Sequence, residues 1–370
     1  METAPSLTST PDAHLREVIT RHGGWIGFDR FMQEALYAPL WGYYARGDSQ
    51  FGQRPAATAG GGGDFVTAPE LSPFFGRALA VQLAQALERT GTREIWEFGA
   101  GSGALAAQLL GALGPQVDHY TIVDLSGSLR QRQQQTLGRF GDKVRWVDHL
   151  PDRLQAVVVG NEVLDAMPVQ LLVRQGGIWH ERGVALDAAT GRRVWADRPT
   201  ALRPPLEIAG AHDYLTEIHP QAEGFVRMLG DRLERGAVFL IDYGFPEREY
   251  YHPQRSMGTV MCHRAHRMDA EPLEDAGDKD ITAHVNFTGV ALAAQEVPGF
   301  GVLGYTSQAR FLLNCGLLPL LEAASLAERT MAQKLLMEHE MGELFKVIGF
   351  FCGEPWEAIG FAQGDRTHTL

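Results

Sequence analysis

The sequence predicts an α/β protein: a Rossmann-like, mostly parallel sheet with a helical N-terminal region and two insertions. Three observations predict it. From residue 94 onward, short apolar runs alternate with helical stretches. The first run passes directly into a glycine-rich turn. The runs that follow end in acidic or amide residues, as expected where an open α/β sheet binds a ligand at the carboxyl ends of its strands.

The elements follow in chain order. Residues 1–13 are rich in Ser, Thr and Pro and are expected to be a loose tail. His14–Tyr44 is mostly helical in pattern, with Leu15, Val18 and Ile19 on one face, then Phe28, Met32 and Leu36. Residues 45–64 read as a loop, and the glycines at 60–63 make it a flexible tether or a lid over a ligand. Leu71–Leu87 is a helix entered through Ser72-Pro73 and closed by Gly91. Strands follow at Glu94–Phe98, Tyr120–Val123, Val144–Val147 and Ala156–Val159, with helices over Ala104–Leu113 and Ser128–Phe140 between them.

A long stretch then separates Val159 from the fifth strand, Ala237–Ile241, far more than a crossover needs. It holds β-like pieces at Val169–Arg174, Ile178–Arg182 and Arg193–Trp195 and a helix at Ala222–Leu233. The C-terminal part returns to helices (Thr306–Cys315, Leu317–Ala327, Ala332–Met341) and closes with strands at Phe345–Phe351 and Glu357–Phe361. The expected partition is therefore 1–90 (tail, helical region and glycine-rich lid), 91–168 (first part of the core), 169–235 (insertion and crossover helix), 236–244 (core strand), 245–305 (second insertion) and 306–370 (helices and closing strands).

Composition narrows the function. The chain has 370 residues, 45% hydrophobic and 21% charged, which suits a folded globular protein. With 33 Lys+Arg against 45 Asp+Glu, its net charge of −12 disfavours bulk binding to nucleic acid or anionic membrane. No apolar run approaches the roughly 18 residues of a membrane span. The first twenty residues hold no apolar leader core, so a cytoplasmic location is expected. Cys262, Cys315 and Cys352 are far apart, which excludes a disulfide framework and suits a reducing compartment. His263 and His266, near Cys262, lie among arginines; they read as a polar or acceptor-binding edge rather than a zinc site, and no metal is expected. His284 is open between orienting a substrate and satisfying a core hydrogen bond. Ser102 lacks the glycine of a GxSxG elbow, and no P-loop pattern occurs.

The chemistry concentrates in Glu97-Phe98-Gly99-Ala100-Gly101-Ser102-Gly103-Ala104. Gly99, Gly101 and Gly103 let the chain turn sharply into a helix and bring main-chain N–H groups close to a ligand. Gly99, Gly101 and Ala104 also satisfy the dinucleotide pattern, so a nicotinamide cofactor is an alternative. S-adenosylmethionine fits better: Glu97 would repel a pyrophosphate but attract an ammonium. Asp124 is placed for ribose hydroxyls and Asp148 for an adenine amino group. After strand four come Asn161, Glu162 and Asp165. Asn161 both donates and accepts. Glu162 and Asp165 are two carboxylates able to hold a cationic acceptor or take a proton; a plain helix cap by Asn161 is the alternative.

Gly63-Asp64-Phe65-Val66-Thr67-Ala68-Pro69-Glu70, the glycine turn, Asn161–Pro168 and Leu240-Ile241-Asp242-Tyr243-Gly244 together resemble the MidA-type (former DUF185) methyltransferases. The resemblance runs over roughly residues 15–360 in the right order, and Tyr37–Tyr44 and Asp280–Phe287 extend it. It departs at Val163-Leu164, where members carry Phe-Phe, and at Asp124, where they carry Glu. It implies a class I (Rossmann-like) sheet and S-adenosylmethionine as cofactor. It makes residues 63–69 a segment closing over that cofactor, with Thr67 a contact, and puts Asp242 on the acceptor side. It also implies a protein-arginine acceptor and a link to respiratory complex I assembly, as in the mitochondrial members. The sequence leaves open a silent S-adenosylmethionine-binding assembly factor. The apolar C-terminal half suggests a homodimer.

Overall fold

The structure, a computed structural model, describes residues 10–45, 67–124, 127–264 and 267–370. The glycine run, the closing segment before Thr67, and His266 fall outside the described residues. The chain packs as two units.

The larger unit holds residues 67–165, 223–246 and 285–370 of the described chain. Its strands are β1 (Glu94–Phe98), β2 (His119–Val123), β3 (Val144–Val147), β4 (Leu154–Asn161), β5 (Leu233–Phe245), β6 (Phe300–Ser307) and β7 (Phe345–Cys352). They pair in the order β3-β2-β1-β4-β5-β7-β6, with the short strand Val285–Asn286 added to the end of β5. The first five are parallel; β7 is antiparallel to both its neighbours. Strand order reverses between β1 and β4, and their exits leave a crevice there, because Phe98 lies opposite Gly160.

The helices of this unit are α1 (Ala68–Leu71), α2 (Pro73–Thr90), α3 (Ala104–Leu113) and α4 (Gly127–Leu137). The Ser72 hydroxyl caps α2 by accepting from the Phe74 N–H, and Gly91 ends it with φ 59°. Leu79, Leu83, Leu109 and Leu113 cover Ile95, Val157, Val159 and Phe239 in one apolar core.

Three expectations change in the C-terminal part. β6 occupies Phe300–Ser307, inside the stretch expected to be an insertion, so the helix after it starts at Gln308 rather than Thr306. Gly301 and Gly304 interrupt its apolar run, and they do so because the rings of Phe351 and Phe361 lie where their side chains would be. Residues 357–361 do not form a strand. Ile359–Phe361 is a single 3-10 turn, with the Gly360 N–H donating to Gln82 Oε1 at 2.7 Å and Phe361 plugged into the core. The helices expected at Leu317–Ala327 and Ala332–Met341 are instead Leu317–Glu322 and Leu326–Gln333. Ser325 starts the second through a capping box with Glu328.

The smaller unit gathers residues 10–45, 166–222 and 247–284. Helices Pro11–Arg21 and Phe28–Tyr37 are separated by a strand, Trp25–Gly27, that the helical pattern concealed. That strand pairs antiparallel with Ile178–Leu186, which also pairs with Gln170–Gln175 and Arg193–Pro199. Tyr214–Ile218, another strand not foreseen, completes the sheet beside Gln170–Gln175. Leu15, Ile19, Phe31, Met32 and Leu36 bury against Leu171 and Val184. The His284 main chain is part of a buried hydrogen-bonded network: its N–H donates to Thr259 Oγ1 and its carbonyl bonds the His219 ring.

Candidate active site

The cleft at the exits of β1 and β4 lies wholly within the larger unit. It is lined by Thr67, Pro69, Glu70, Glu97, residues 99–101, Ser102, Ala104, Leu105 and Asn161. Gly99 (φ 63°) and Gly101 (φ 51°) are both in the left-handed region. A Cβ on Gly101 would meet no protein atom within 4 Å, so its missing side chain leaves open space in the cleft. Gly103 serves a different purpose. Its missing Cβ lets α4 approach, with Leu137 and the Gln133 backbone 3.4–3.5 Å from where that atom would be. Thr67 enters through α1, whose first turn bonds the Thr67 carbonyl. Gln108 on α3 holds this segment by donating to the Pro69 carbonyl at 2.7 Å and accepting from the Gly76 N–H at 2.9 Å.

Glu97 is 2% exposed. Burial pushes its carboxyl up to about 8; the Tyr120 hydroxyl donating to Oε2 at 2.7 Å opposes the rise, and the Asp124 carboxylate adds to it. Asp124 leaves β2 beside Gly99, since Val123 lies opposite Phe98. Gln133 Nε2 donates to its Oδ2 at 2.7 Å. Asp148 is not brought to the cleft: it is paired with Arg130 at 2.8 Å, its side chain 71% exposed.

On the β4 side, the Asn161 amide nitrogen donates to Glu162 Oε1 at 2.8 Å, while its Oδ1 is buried with no hydrogen-bond partner. Glu162 takes a left-handed φ of 55°, and its N–H donates to the Ile241 carbonyl at 2.9 Å. The segment after it forms a turn, so a helix cap at Asn161 does not occur. Asp242 turns its carboxylate onto the backbone. Its Oδ2 accepts from the N–H groups of Val163, Leu164 and Asp165 at 2.9–3.2 Å, and its Oδ1 from Tyr243 N–H at 2.9 Å. It therefore acts as a clamp on the 162–165 turn. Burial pushes the Asp242 carboxyl well up, and the charges of Asp165 and Glu162 reinforce the rise.

The cleft suits a cationic amino acid bearing a nucleoside. Among the described residues its wall carries the acids Glu70 and Glu97 and no Lys or Arg, a poor receptor for a diphosphate. An unsatisfied amide oxygen at Asn161 awaits a donor. Glu70, Gln108, Gln133 and Tyr120 were not singled out by sequence reasoning. Glu70 alone carried a signal, as the last residue of the block ending Ala68-Pro69-Glu70.

Fold and cleft together define a class I methyltransferase that uses S-adenosylmethionine. The comparisons agree. Residues 78–306 match the family described as "Putative S-adenosyl-L-methionine-dependent methyltransferase", and the chain belongs to that family. A crystal structure of a "likely methyl transferase" from Burkholderia thailandensis, bound to S-adenosyl-homocysteine, is 49% identical, with TM-score 0.91 over 100% of both chains. Among curated relatives, protein arginine methyltransferase NDUFAF7, mitochondrial, of Danio rerio is 28% identical over 331 residues, covering 80% of this chain and 74% of its own. The Caenorhabditis elegans homologue is 27% identical over 341 residues, covering 82% and 76%.

Proposed function

We propose that the enzyme methylates an arginine side chain of a protein, and that Glu162 and Asp165 receive it. The observation that carries this reading is the strained turn after β4. It sets Glu162 against Asn161 on the cleft wall and is held rigid by the Asp242 clamp. The names of the curated relatives support an arginine acceptor.

When bound, S-adenosylmethionine supplies an electrophilic methyl group on a sulfonium centre. In this reading Glu97 takes the ammonium, Asp124 the ribose hydroxyls, and Thr67, Asn161 and the backbone of residues 99–101 the rest of the methionyl end. Glu162 and Asp165 bind the guanidinium by charge-assisted bonds and localise its charge on the nitrogens they hold. That leaves the remaining nitrogen the better nucleophile, and a carboxylate accepts the proton it sheds. Position and exclusion of water do most of the work.

A partner in respiratory complex I assembly and a homodimer are part of the same proposal; exposed Leu318, Leu326 and Met331 on the C-terminal helices support the dimer. The three free cysteines support a reducing compartment such as the cytoplasm. Among the described residues no helix is long and apolar enough to cross a membrane. The test is transfer of a labelled methyl group to lysate proteins, followed by residue analysis. Label in methylarginine supports the proposal. Label elsewhere refutes the acceptor, and S-adenosylmethionine binding without transfer leaves a silent assembly factor.

A further inference from the structure

Gln133 sits in the middle of α4, a helix whose Gln/Arg-rich sequence suggests only a solvated surface, yet its residue is fully buried. Its amide makes three bonds to three strand exits. Nε2 donates to the Gly101 carbonyl at 3.0 Å, in the loop after β1, and to Asp124 Oδ2 at 2.7 Å, at the end of β2. Oε1 accepts from the indole N–H of Trp146, on β3, at 2.9 Å. The orientation of the amide is dictated by chemistry: a carbonyl and a carboxylate only accept, and an indole only donates. Every polar atom of the side chain is used.

Two consequences follow. The Asp124 carboxylate is held in one rotation at the exit of β2. The Gly101 carbonyl is drawn toward α4, and because a trans peptide is planar, the Ser102 N–H points the opposite way. The close seat of α4 on Gly103 keeps the amide at this distance. We propose that Gln133 is a positioning residue for recognition of the cofactor's ribose. It fixes the Asp124 carboxylate at the exit of β2, where the ribose hydroxyls would donate to it. This rests on the reading that Asp124 meets the ribose.

The experiment measures binding of S-adenosylhomocysteine and of its 2′,3′-dideoxyribose analogue by calorimetry, with melting temperature as a control for folding. The protein as it stands should prefer the intact ribose by roughly 10–100-fold, the worth of a hydrogen bond to a charged group. Asp124→Asn tests the underlying reading, and the preference should collapse. Gln133→Met, similar in length and without hydrogen-bonding groups, should cut the preference at least ~fivefold while Asp124 is still present. If Asp124→Asn lowers the preference and Gln133→Met does not, whatever the fall in melting temperature, the proposal is overturned and the ribose reading stands. If Asp124→Asn leaves the preference intact, both fall. Should Gln133→Met not fold, Trp146→Phe decides: it removes the donor that anchors the amide, with part of the ring volume, and melting temperature again controls for folding. A reduced preference supports the positioning role, and an unchanged one overturns it.

Discussion

Glu97 makes the sharpest prediction, because its environment turns cofactor binding into a pH-dependent event. Burial raises its carboxyl from an ordinary 4.5 to about 8, so at neutral pH the ligand-free cleft holds a protonated acid. Pairing with the ligand's ammonium requires the carboxylate, and binding must then expel a proton. Affinity for S-adenosylhomocysteine should therefore rise with pH, approaching tenfold per unit below 8, and by roughly 50-fold between pH 6 and 8. Calorimetry in two buffers of different ionisation enthalpy reads the released proton directly, close to one per ligand near pH 6.5. Glu97→Gln can still accept from Tyr120, so it should fold; its affinity should be low and flat with pH. An affinity constant within ~threefold across pH 6–8, with no proton released, would refute the pairing.

The sign of the stability effect follows from the same shift. Between pH 4.5 and 8 the folded, ligand-free protein binds this proton more tightly than the unfolded chain, so its melting temperature should fall as pH rises through that window. Asp242, also raised, adds to the slope, and Glu97→Gln should flatten it.

Other substitutions separate binding from chemistry. Gly101→Val should fold at a cost of about 1–2 kcal/mol for its left-handed φ yet lose S-adenosylhomocysteine binding by at least ~100-fold, because its side chain enters the cleft; normal affinity in a folded variant contradicts this. Glu162→Gln should abolish methyl transfer and leave cofactor affinity within a few fold; full activity removes its assignment. Asp242→Asn should cost about 1–3 kcal/mol in urea denaturation, since one carboxamide end opposes an N–H now bonded to oxygen. It should lower turnover more than cofactor affinity, and a neutral result would mean the 162–165 turn stands without its clamp.

Much of the central sheet was legible because its signals are local. β1 and β3 match their predicted ranges, since each is a short apolar run bounded by turn-forming or charged residues. β6 was hidden because the glycines that admit two phenylalanine rings look like turn punctuation. The strand Trp25–Gly27 was hidden because its partner lies about 160 residues away, and pairing at that range leaves no local pattern. In the site, Glu97 and the glycines were readable from their order along the chain. For Asp242 no spacing rule reveals that its oxygens accept from four backbone N–H groups and so hold the 162–165 turn. Gln133 left no trace, because a buried amide and a solvated one are the same letter.

The interleaving of the two units bears on synthesis. Helices Pro11–Arg21 and Phe28–Tyr37 leave the ribosome long before the strands that cover their apolar faces, which begin only at Gln170, and the unit is not complete until His284 has emerged. At roughly 10 residues per second, the nascent chain carries an uncovered greasy surface for some tens of seconds. Chaperones that bind exposed apolar segments should therefore engage the nascent chain before residue 284 emerges.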